Sequence, residues 1–128
     1  MAQDIMLKIY TPERTFFNRA VHRVVLPYGR LNLTAMIDRA PLSLALPTGR
    51  IDILDAANNI ESSYFVDGGV VDFAENVCKI STRHIIKTTA ITLAQAQEKL
   101  QEEPQNADFY KMIITEISGA EPSPDAAD

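Results

Sequence analysis

The chain contains no tryptophan, one cysteine and two histidines in 128 residues, and each scarcity removes a class of function. A lone thiol, Cys78, makes no internal disulfide, so a reducing compartment is expected. It lies between Val77 and Lys79 in a strand-like run and reads as a small buried hydrophobe. His22 and His84 stand far apart, each in a strand-like context. The closely spaced histidine pair and carboxylate of a cupin-type metal site are missing. No Gly-x-Ser-x-Gly, Cys-His or phosphate-loop pattern occurs. Asp67-Gly68-Gly69 lacks further spaced carboxylates and a following helix, so it reads as a tight turn rather than a calcium or phosphate loop. No catalytic residue, metal ligand or cofactor is expected.

Positive charge is also short. Twelve Lys and Arg face seventeen Asp and Glu, a net charge of -5. Arg14, Arg19, Arg23, Arg30, Arg39 and Arg50 form no tract, so neither nucleic acid nor anionic lipid is an expected partner. No apolar run approaches the ~20 residues of a membrane span. Met1-Ala2-Gln3-Asp4 shows no basic region leading into an apolar core, so no signal peptide is expected. Direct membrane insertion is not expected.

What is present is a hydrophobic fraction of 46%, enough for one compact domain, and a pattern that changes near residue 90. Before that point, short alternating runs are separated by turn residues. Ile5, Leu7 and Ile9 alternate with Met6, Lys8 and Tyr10 until Pro12. A run over residues 21–26, apolar apart from His22 and Arg23, is closed by Pro27-Tyr28-Gly29. Leu31, Leu33, Ala35 and Ile37 alternate, and so do Leu42, Leu44 and Leu46 before Pro47-Thr48-Gly49. Ile51 and Ile53 lead to Asn58-Asn59, a pair suited to a hairpin turn. Runs over 64–66, 70–73 and 77–80 complete the series. The pattern predicts a sandwich or barrel of short strands. Asp52, Asp55, Asp72 and Glu75 fall on alternating or turn positions and read as solvated.

After residue 90 the period becomes helical. Thr92 and Gln95 fit a capping box, and Leu93, Ala96 and Leu100 share one face of a helix that Pro104 stops. Asn106 or Asp108 is a candidate cap for a second helix carrying Phe109, Met112, Ile113 and Ile117 on one face, with Gly119 as its stop. The expected organisation is a β-sandwich over 1–90, a helical hairpin over 91–119 and a disordered acidic tail over 120–128.

Several of these runs resemble, in order and spacing, the epsilon subunit of F-type ATP synthase. Leu7-Lys8-Ile9-Tyr10-Thr11-Pro12-Glu13-Arg14 followed by Phe16-Phe17 is similar to that family's opening. Val24-Val25-Leu26-Pro27, Ala40-Pro41-Leu42 and Thr48-Gly49-Arg50-Ile51 resemble its next strands and turns. Phe65-Val66-Asp67-Gly68-Gly69-Val70-Val71 followed by Asn76-Val77-Cys78-Lys79-Ile80 resembles its Val-Ser-Gly-Gly-Phe region. The resemblance spans roughly residues 5–103. It implies a mostly β fold with α: an N-terminal sandwich of about ten strands and a C-terminal two-helix hairpin. It also implies a non-catalytic rotor part that clamps the gamma subunit to the c ring for ion-driven ATP synthesis, peripheral on the cytoplasmic face of a bacterial inner membrane. On this footing Arg39, Ala40, Pro41, Leu42 and Ser43 are expected to face gamma. Gly29, Arg30, Leu31 and Asn32 are expected as a loop facing the c ring, with at most transient contact between the hairpin and the alpha and beta catalytic subunits. The alternative is a β-sandwich adaptor or a paralogue serving another assembly.

The departures are specific. Leu31, Thr34 and Asp38 stand where the family has glycines, Asn32 replaces an acidic residue, Arg39 replaces a histidine and Asp67 replaces a small residue. Some members bind ATP through an Ile-Asp-x-x-Arg-Ala motif. At the matching positions Ile91 and Ala96 agree, but Thr92 stands for the Asp and Gln95 for the Arg. No ATP-binding residue is therefore expected. The second helix is short and carries only Lys111 as a cation, so the hairpin is expected to stay folded on the sandwich and to inhibit hydrolysis weakly or not at all.

Overall fold

The computed structural model describes residues 4–28 and 31–119. The expected tail over 120–128, together with Gly29 and Arg30, lies outside them.

Among the described residues ten strands form two five-stranded sheets. In chain order they are β1 (Ile5–Tyr10), β2 (Thr15–Val21), β3 (Arg23–Tyr28), β4 (Leu31–Met36), β5 (Leu42–Leu46), β6 (Gly49–Leu54), β7 (Ile60–Val66), β8 (Gly69–Ala74), β9 (Val77–Ser81) and β10 (Ile85–Lys87). The first sheet runs β2-β1-β9-β8-β5 and the second β10-β7-β6-β3-β4. All pairings are antiparallel except β1 with β9, which run parallel. Ile5, Leu7 and Ile9 turn inward and meet Val24, Leu26, Ile51 and Ile53 from the opposite sheet, all essentially without exposed surface. Alternation places these side chains on one face each, and the two faces close on each other as a single core.

Three expectations change. The run over 21–26 is two strands, divided at His22, with β2 in the first sheet and β3 in the second. Pro27-Tyr28 continues β3 instead of closing it. Proline is tolerated because β6 pairs only with Arg23, Val24 and Val25, so no ladder on that side needs the missing N–H. β10 follows a run whose hydrophobic signal covers only Ile85 and Ile86, too short to register as a strand.

The turns follow residue chemistry. Glu75 and Asn76 both adopt positive φ, 52° and 62°, which gives β8 and β9 a two-residue turn matched to their twist. Between β6 and β7 only Asn58 is left-handed, at 67°. Asp55 shapes that turn by accepting the Ala57 and Asn59 N–H groups, so it organises backbone rather than simply meeting solvent. Gly69, φ 135°, begins β8 where the chain crosses between sheets. A Cβ there would collide with the Ser81 carbonyl oxygen.

A 3-10 turn (Thr88–Ala90) leads to α1 (Leu93–Glu102), capped as expected: Thr92 Oγ1 accepts the Gln95 N–H and Gln95 Oε1 accepts the Thr92 N–H. A second 3-10 turn (Pro104–Asn106) leads to α2 (Ala107–Ser118), which Gly119 ends at φ 70°. Asn106 does not cap α2 with its side chain, which donates instead to Glu103 Oε1. The hairpin lies on the outer face of the second sheet. There Phe65 and Ile86 meet Ala96, Phe109, Tyr110 and Ile113 in a separate cluster. Phe109 and Ile113 are buried and Met112 is half-buried, which places the expected stripe inward. Tyr110, among the largest fully buried side chains, was not part of that expectation.

Candidate functional site

The groups that could carry chemistry are engaged elsewhere. Burial pushes the Cys78 thiol up to about 12, so it carries almost no thiolate near neutrality. His22 Nδ1 lies 3.6 Å from Asp4, and the His84 ring packs against Phe109, with centroids 4.8 Å apart, and edge-on to Tyr110. Among the described residues no group of three or more His, Cys, Asp or Glu side chains could hold a metal ion. Asp67 is buried and fully committed. It accepts from Thr48 Oγ1 at 3.2 Å and pairs with Arg83 at 2.7 Å. The Asp67-Gly68-Gly69 turn is thus a structural crossing held by an ion pair, a role that a lone carboxylate in a glycine turn does not announce.

The expected contact residues fall into two places. Arg39, Ala40 and Pro41 form the connection before β5, and Leu42 and Ser43 begin that strand. Ala40, Pro41 and Ser43 are exposed, and Arg39 and Leu42 half-buried. The connection is fastened to the first sheet, because the Asp38 N–H donates to Asn76 Oδ1 at 2.7 Å. Leu31 and Asn32, expected in a loop, open β4, where Asn32 sits opposite Pro27. The two regions therefore lie at opposite ends of β4, which at ~3.3 Å per residue separates them by roughly 20 Å.

A third uncovered surface is the outer face of the first sheet. Ser43, Asp72, Lys79, Lys8 and Asn18 form one row across it by register, and Ala45, Val70, Ser81 and Tyr10 the row beside it. Val70 is 47% exposed. No described element packs over this face.

The hairpin start offers little to a nucleotide. The Thr92 and Gln95 side chains both serve the capping box, and neither is charged. Glu103, at the end of α1, is held below the ordinary carboxylate range first by the Asn106 hydrogen bond and then by Lys99. Tyr110 is raised by burial and by neighbouring Glu103.

Comparison with known proteins agrees with this picture. The family model described as ATP synthase, Delta/Epsilon chain, beta-sandwich domain matches residues 4–88. The chain is 31% identical over 98 residues to the ATP synthase epsilon chain of Gluconacetobacter diazotrophicus, covering 77% of this chain and 69% of that one. It is 27% identical over 128 residues to that of Granulibacter bethesdensis, covering 99% and 93%. In fold it is similar to a chain of the Euglena gracilis mitochondrial ATP synthase OSCP/F1/c-ring structure, with TM-score 0.66, 17% identity and 91% and 76% coverage. It is also similar to a chain of the Tetrahymena thermophila mitochondrial ATP synthase central stalk/c-ring structure, with TM-score 0.60, 16% identity and 88% and 97% coverage.

Proposed function

The chain belongs to the delta/epsilon chain family of ATP synthases, and from that premise we propose that it is a non-catalytic epsilon-type part of the central stalk, joining gamma to the c ring. One observation carries this reading: the stretch 39–43 and the start of β4 sit at opposite ends of one rigid strand. A close-packed sandwich resists deformation, so torque applied at one end reaches the other. The gamma contact falls to Arg39, Ala40, Pro41, Leu42 and Ser43. The c-ring contact falls to Gly29, Arg30, Leu31 and Asn32.

Membrane association in this reading is peripheral and comes through the complex, on the cytoplasmic face of a bacterial inner membrane. No helix among the described residues is long and apolar enough to cross one. The hairpin acts as a folded cover with weak or no inhibition of hydrolysis. Its support is the burial of Phe109, Tyr110 and Ile113 against Phe65 and the commitment of Thr92 and Gln95 to backbone.

Tagged chain recovered from native membranes is expected to bring gamma and c-ring subunits with it, and recovery without gamma would sink the assignment. Arg39→Glu is expected to weaken gamma binding while leaving the fold intact. For the hairpin, complexes built with a chain cut after residue 90 are expected to hydrolyse ATP at the rate of the full-length complex. A several-fold rise would assign it an inhibitory role.

A further inference from the structure

Among the described residues the sandwich has four edge strands, and they are not equally protected. β2 carries Arg19, which pairs with Glu61 at 3.5 Å and lies over the Phe17 ring, and its partner β1 is irregular at Ile9/Tyr10. β10 is three residues long. Charge, irregularity and brevity are the usual ways in which an edge avoids pairing with another chain. β5 has none of them: its five residues are uncharged, regular in register with β8 and free of proline, with Pro41 and Pro47 just outside. β4, on the same flank, is also uncharged but displays the polar Asn32 and Thr34.

The hydrogen-bonding direction of β5 follows from the β8–β9 turn. A two-residue turn with both residues at positive φ is closed by a pair that exchanges both backbone bonds, here Ala74 with Val77. Alternation then turns the backbone groups of Phe73, Val71 and Gly69 toward β5, where they meet Leu42, Leu44 and Leu46. Ser43 and Ala45 therefore point their N–H and C=O groups away from β8, and no described strand takes them. Leu42 and Leu44, whose side chains face the core, remain only half-buried.

We propose that this open edge takes up an extended segment of the gamma subunit as a sixth strand of the first sheet, bonded by Ser43 and Ala45. The proposal rests on the gamma reading above and adds the mode of binding. Arg39 selects a foreign partner over a second copy. It has no carboxylate partner among the described residues, and its buried Nε finds no acceptor. In-register parallel self-pairing would set Arg39 beside Arg39 and bring like charges together. Antiparallel self-pairing centred on Leu44 would set Pro41 opposite Pro47, so that neither end of the five-residue strand could extend the ladder. The incoming segment should therefore carry a carboxylate beside its strand, near Arg39, with small or apolar side chains next to Ala45 and Val70.

Ala45→Pro removes one outward N–H and leaves the β8 ladder intact, a position where an edge strand tolerates proline. The free variant is expected to melt near the parent, while its affinity for gamma falls roughly tenfold or more from the lost bond and disturbed pairing. Leu44→Pro, which breaks the β8 ladder, is expected to destabilise the free chain. In the parent, hydrogen exchange at the Ser43 and Ala45 amides is expected to be fast in the free chain and slow in the gamma complex. That readout decides the matter even if the proline variant fails to fold. Parent-like affinity for a folded Ala45→Pro, or fast exchange at both amides in the complex, overturns strand addition. If Arg39→Glu loses gamma while folded Ala45→Pro does not, the gamma surface stands and only the mode is wrong. A free chain that dimerises with Ser43 and Ala45 protected overturns the choice of partner.

Discussion

The two sheets share one core but differ on their outer faces. On the second sheet the hairpin covers Phe65 and Ile86, and Tyr64, Phe65 and Val66 are buried in succession. On the first sheet nothing described covers Lys8, Asp72, Lys79 and Val70, and β1, β8 and β9 keep strict inward–outward alternation. A strand buried on one face alternates, whereas a strand buried on both reads as a continuous apolar run. The end of β7 is the local record of a cover that arrives from a distant part of the chain.

That contrast is open to attack at several points, from severe to slight. Phe73, 1% exposed and facing inward from β8, is expected to cost about 3–5 kcal/mol as Phe73→Ala. Val70→Ala on the bare face of the same strand is expected to stay within about 0.5 kcal/mol. Denaturant titration compares the two, and similar losses would break the assignment of faces.

Cutting after residue 90 tests the covered face itself. The fragment is expected to unfold cooperatively, because its alternating runs already supply both sides of the core. It should also bind a hydrophobic dye through the uncovered Phe65 and Ile86, and Phe65→Ser in the fragment should suppress that binding. A fragment without a cooperative transition would make the hairpin part of the folding unit.

Thr92→Ala removes one arm of the capping box and is expected to lower stability by about 1 kcal/mol, seen as faster amide exchange in α1 before the sheets respond. Arg50 bridges Asp52 and Glu116, joining β6 to the end of α2 through half-exposed side chains. Arg50→Ala is expected to cost less than about 1 kcal/mol and to lose even that in high salt.

Alkali should act last. The folded chain holds the Cys78 proton to about 12, whereas an exposed thiol releases it near 9.0. Stability should therefore fall as pH rises between those values and be unaffected by this group at neutrality. Tyr110, raised by burial and then by Glu103, pushes the same way. Thiol labelling at pH 7 should need denaturant.

Much of the fold was legible because burial on one face leaves a period of two, as in Ile5, Leu7, Ile9 and in Ile51, Ile53. The capping box was legible because its bonds are local in sequence. Less visible was anything decided by distant partners. The break at His22 depends on β2 and β3 joining different sheets, and Pro27 is permitted only because β6 stops short of it. Asp67 looked like an ordinary turn residue until Thr48 and Arg83 converged on it. Of the expected contact residues, Ser43 proved informative in a way that its side chain did not suggest, since its backbone carries the open edge. Leu31 and Asn32 read both as the start of an alternating run and as part of a loop, and the alternation prevailed, since they open β4.

The parallel pairing of β1 with β9 has a consequence for how the molecule is made. Met6 lies opposite Val77, so β1, the earliest synthesised of these ten strands, completes its ladder only after nearly the whole sandwich has been made. Such sequence-distant pairing slows folding, because the intervening chain must be ordered before the contact forms. Until then β1 and β2 exist as a two-stranded ribbon, marginal by itself in water. The nascent chain should stay sensitive to protease in β1 until β9 emerges, and then gain resistance along the whole first sheet in a single step.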